Sequence, residues 1–110
     1  MRRKKEEEEK EVRLDEFHEI PMEMDDQTRT KVMIEKLDGV IDVDRIVRKA
    51  PSGNIVIVGI KDIRERSLDE LKHSISKMKT SVAMFNGDIA GVGEEWLILT
   101  PSSARIHRGE

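Results

Sequence analysis

The run Ser81-Val82-Ala83-Met84-Phe85-Asn86-Gly87-Asp88-Ile89-Ala90-Gly91-Val92 constrains the fold more than any other part of this chain. Two apolar stretches meet at Asn-Gly, and a two-residue type I′ turn needs positive φ at both central positions, which Asn tolerates and Gly adopts freely. Asn86 and Gly87 therefore predict a hairpin between strands at 81–85 and 88–92, with Asp88 and Gly93 as further turn positions.

Regular apolar periodicity starts at Thr30. Val32 and Ile34 predict a first strand over 30–37 that ends at the turn pair Asp38-Gly39. Asp42 is placed to cap a short helix with Val43, Ile46 and Val47 on one face, which Pro51-Ser52-Gly53 stops. The β-branched run Ile55-Val56-Ile57-Val58 predicts a central strand over 54–60, covered on both faces. Ser67-Leu68-Asp69-Glu70 reads as a capping box, and Leu68, Leu71, Ile75 and Met78 follow as an apolar stripe at helical spacing. Strand, helix and strand in about thirty residues make a crossover unit, so the 54–60 and 81–86 strands should be parallel and their connection right-handed. The expected fold is a two-layer α/β sandwich, a mixed five-stranded sheet with two helices.

Charge divides the chain. Residues 1–10 carry net +1, residues 11–29 net −5, and everything from Thr30 onward net +1. The reading is a charged flexible linker over 1–29 and one α/β domain over 30–110. Val12, Leu14, Phe17 and Ile20 offer at most a short apolar edge in that linker. The chain contains no cysteine, which rules out disulfides and thiolate chemistry. No apolar run reaches the ~20 residues of a spanning helix and no signal peptide precedes the chain, so a cytoplasmic location is expected.

Little of the sequence points to catalysis. His18, His73 and His107 are scattered rather than set at ligand offsets, so no metal site is expected. Asp42 and Asp44 suit a helix start better than acid–base chemistry. Gly87, Gly91 and Gly93 lie between strands and open no helix, which excludes a phosphate loop. With net +1 on the folded part and only Phe85 and Trp96 as its aromatics, a nucleic-acid surface is not expected. The chain reads as a non-enzymatic protein without a cofactor. Alternating residues are apolar in both phases of several strands, and two helices cover about one face. The uncovered face predicts a homodimer, and a second contact through the helices would extend dimers into filaments.

Gly87-Asp88-Ile89, then Gly93, then the strand Trp96 to Leu99 ending at Thr100-Pro101, resembles the C-terminal signature of SepF, a family of cell-division proteins. The resemblance spans about residues 30–106, and the Lys/Glu richness is most similar to the archaeal members. It implies a dimerising adaptor that binds the C-terminal tail of FtsZ and links FtsZ filaments to the inner face of the membrane at the division site. It also implies an N-terminal amphipathic helix, which Met1-Arg2-Arg3-Lys4-Lys5-Glu6 does not match, so membrane contact by this chain is not expected from its first residues. For tail binding the resemblance implies Met84, Ile89, Gly91 and Leu97; for the dimer, Ala83, Leu71 and Ile75 are the candidates. The alternative reading from another class is a dimeric small-molecule-binding regulatory domain.

Overall fold

A computed structural model describes residues 29–109. The leader therefore lies outside the described residues up to position 28, together with its apolar positions and His18. From there the chain forms strand β1 (Val32–Lys36), a 3-10 turn (Val40–Asp42), helix α1 (Val43–Val47), β2 (Ile55–Gly59), α2 (Lys61–Arg66), α3 (Leu68–Met84), β3 (Asp88–Val92) and β4 (Trp96–Thr100).

The sheet has four strands in the order β1-β2-β4-β3 rather than the expected five. β1 and β2 are parallel, and β4 runs antiparallel to both β2 and β3. The parallel partner expected for β2 at 81–86 does not exist. Those residues end α3, which runs for 17 residues to Met84. Val82 lies four residues after Met78 and both are buried, so the helical stripe continues through the segment read as a strand. Asn86-Gly87 closes that helix instead of turning a hairpin. Asn86 takes φ 62°, and its N–H donates to Ala83 O while the N–H of Gly87 donates to Val82 O at 3.0 Å. That pair of bonds is a Schellman motif, in which a left-handed residue just past the helix satisfies its last carbonyls. The hairpin lies one element later, between β3 and β4, where Gly93 takes φ 61°.

Three α-helices replace the expected two. α2 was not foreseen; it buries only Ile63 and is separated from α3 by Ser67 alone. The Ser67 hydroxyl accepts the N–H of Glu70 at 3.2 Å, one half of the capping box. Glu70 does not return the bond: its carboxylate accepts the N–H of Val40 at 3.1 Å and pairs with Arg66, tying the start of α3 to the 3-10 turn. Asp42 likewise does not cap α1 with its side chain, which accepts the N–H of Asp38 at 2.9 Å.

Both crossovers, β1 to β2 and β2 to β3, step in the same direction along the sheet. Right-handed connections that do so lay their helices on the same face. The core follows from this: Val56, Val58, Leu97 and Leu99 from the sheet meet Leu37, Val43, Ile46, Ile63, Leu71, Met78 and Val82. β2 is central, as read, but it is covered on one side only; Val56 and Val58 are buried while Ile55, Ile57 and Gly59 are half-buried.

Candidate functional site: an open sheet face and the edge of β3

The face away from the helices is apolar. Strand registers align Ile34, Ile57, Ile98 and Ala90 in one row across all four strands, and Lys36, Gly59, Trp96 and Val92 in the next. Ile34 is 71% exposed and Trp96 42%, with Val32 and Val92 also open. At one end Ile34, Lys36, Gly59, Lys61, Asp62 and Trp96 line a shallow hollow of about 300 Å³. The Lys36–Asp62 ion pair, 2.6 Å, stands on its rim and holds the lysine above and the aspartate below their ordinary pKa values. Exposed apolar patches on small domains mark surfaces that bind a protein, a membrane or a ligand.

A second feature lies at the sheet's β3 edge. A groove is formed by Lys79 from α3, Ile89 to Gly93 along β3, and Ile106, His107 and Arg108 from the segment after β4. Asp88, the first residue of β3, organises it. Its carboxylate accepts the N–H of Ile106 at 3.0 Å, the N–H of Ile89 at 3.0 Å, and two contacts from the Arg108 guanidinium at 3.2 and 3.3 Å. Arg108 also donates to the carbonyl of Ile89 at 2.9 Å. These partners, the arginine first and the Ile106 amide second, pull the Asp88 carboxyl from its ordinary 3.8 to about 2.

A pH dependence follows. The folded-state value lies below the ordinary one, so the tie is at full strength above about pH 4 and is lost as pH falls through about 2. Amide exchange at Ile106, followed from pH 5 to pH 2, should accelerate relative to the core amides in that window. Asp88→Asn should abolish the dependence.

Among the residues implied for tail binding, Ile89 and Gly91 line this groove; Met84 and Leu97 do not. Met84 is 81% exposed at the end of α3, and Leu97 is buried beneath the helices. Of the dimer candidates, Leu71 lies in the core, Ile75 packs partly against it, and Ala83 is exposed on α3. None of the three is on the open sheet face. His73 is exposed on α3 and His107 lines the β3 groove; among the described residues no cluster of His, Asp and Glu is set to hold a metal. Lys79, Ile106 and Arg108 were missed by sequence reading, because nothing local links them to a strand up to twenty residues away.

A family model described as cell division protein SepF matches residues 32–106. The chain belongs to the SepF family. Its fold is similar to the SepF-like protein from Archaeoglobus fulgidus, with a TM-score of 0.67 and 27% identity over 74% of this chain and 96% of that one. The SepF-like protein from Pyrococcus furiosus gives 0.60 and 30% over 69% and 94%. The uncharacterized protein MJ0919 of Methanocaldococcus jannaschii is 27% identical over 95 residues, which are 86% of this chain and 64% of that protein. This SepF-family chain thus spans less than two thirds of the curated relative it matches. The matched residues take in the entire sheet, the open face and most of the β3 groove. No helix among the described residues is long and apolar enough to cross a membrane.

Proposed function

We propose that this chain is a dimeric adaptor of cell division that binds the C-terminal tail of FtsZ and connects FtsZ filaments to the membrane. Membership of the SepF family carries the reading. The open sheet face supports the dimer: the row Ile34-Ile57-Ile98-Ala90 closes against the same row of a second copy, which makes the interface self-complementary. The β3 groove supports the tail. It offers Ile89 and Val92 as apolar contacts and Lys79 as a donor, the mixture that a short peptide uses for anchorage and orientation. A dimer carries two such grooves, so one particle joins two tails and gains avidity over a single contact.

Titration calorimetry of the full chain with the C-terminal peptide of FtsZ from the same organism tests the partner. The expected dissociation constant is on the order of micromolar, about 8 kcal/mol, because a short peptide gives up conformational freedom on a small surface. Absence of heat, together with unmoved amide resonances along β3 at millimolar peptide, rejects the reading.

A further inference from the structure

The backbone groups along β3 set what the groove can bind. In an edge strand, alternate residues turn their N–H and C=O toward the neighbouring strand and away from it. The Ile89 carbonyl accepts from Arg108, and the Ile89 N–H donates to the Asp88 carboxylate, so Ile89 faces outward. By alternation Gly91 does too. It is exposed at the outer edge of the sheet. A Cβ there would meet nothing nearer than 3.9 Å, so an approaching chain finds room.

Opposite this edge, the chain after β4 is tied down at successive points. The Thr100 hydroxyl donates to the Ala104 carbonyl at 3.1 Å, Ile106 donates to Asp88, and the Arg108 guanidinium bridges Asp88 and the Ile89 carbonyl. One side chain therefore stands where the N–H of an added strand would stand. Arg108 is itself half exposed and held by a single carboxylate, so the latch opens without disturbing the core, and Lys79, which also lines the groove, is placed to meet a carboxylate on an arriving peptide.

We propose that the outer edge of β3 takes an extended, carboxylate-bearing peptide by strand addition at Ile89 and Gly91, and that segment 104–108, latched by Arg108 to Asp88, keeps this edge closed until the peptide displaces it. The proposal rests on the tail-docking reading above and adds to it the mode of binding and its control. The latch makes affinity depend on how often segment 104–108 is open, so weakening it raises apparent affinity.

The test uses the full chain, Arg108→Ala and Arg108→Lys, with the FtsZ C-terminal peptide as probe. Lysine keeps the charge and loses the fork that spans Asp88 and Ile89. Calorimetry should show both variants binding at least fivefold more tightly than the parent, and bound peptide should slow amide exchange at Gly91. Equal or weaker binding by both variants overturns the latch, and unchanged Gly91 exchange in the complex overturns strand addition. Binding by none of the three proteins rejects tail docking and strand addition together. The latch is still decided then, because Ile106 exchange is read without peptide: at least tenfold faster in Arg108→Ala supports it, and an equal rate overturns it.

Discussion

Replacing Gly87 with alanine lowers the melting temperature by more than about 10 °C. A Cβ at this position would lie 2.3 Å from the backbone carbonyl oxygen of Thr100 and 2.6 Å from a ring carbon of Phe85. The carbonyl belongs to the last residue of β4 and cannot turn aside as a flexible side chain would. Relief requires the end of α3 to move away from the sheet, which opens the core in which Val82 and Leu99 are buried. Overpacking of this kind costs about 3 kcal/mol, and each kcal/mol shifts a domain of this size by roughly 4 °C or more. Gly93→Ala is the comparison. It is strained at φ 61° but meets nothing within 4 Å, so its cost stays near 1 kcal/mol. Thermal melts of the two variants side by side separate steric crowding from backbone strain; similar losses would mean that the α3–β4 junction yields more easily than its geometry indicates.

Ile34→Lys converts the dimer into folded monomers. In the single chain Ile34 is 71% exposed, so a lysine there disturbs no core contact. In the proposed dimer the same position sits in the apolar row and appears twice about the two-fold axis. Each copy would then desolvate an ammonium without a partner, which weakens association by two orders of magnitude or more. Light scattering at micromolar protein should show half the parent mass with unchanged secondary structure. Ala83→Lys, on the exposed end of α3 away from this face, should leave the mass as it was. A full-size dimer with Ile34→Lys would place the interface elsewhere.

Much of the fold was legible because its signals are local. Ser67 at the start of α3, the buried stripe Leu71-Met78, the β-branched run of β2 and the helix face Val43-Ile46-Val47 each depend on neighbours within a few residues. The segment 81–85 was misread for a physical reason. Ser81-Val82-Ala83-Met84-Phe85 is short enough to fit either period, and Asn-Gly supplies left-handed backbone equally well to a hairpin and to a helix end. The position of Val82, four after Met78, was the deciding sign. Losing that strand left a four-stranded sheet, and the open face then follows from two crossovers of one hand. In the candidate site, Ile89 and Gly91 came from the family resemblance and not from any local pattern, and Arg108 came from neither: its pairing with Asp88 spans twenty residues and leaves no periodic trace.

Sedimentation velocity of the full chain with a dye-labelled FtsZ C-terminal peptide, at micromolar concentrations of both, tests the adaptor most directly. The account predicts that the dye moves with a particle of twice the 12.7 kDa chain mass, carrying two peptides. Dye that stays at the sedimentation rate of free peptide, or that travels with a single chain, would contradict it.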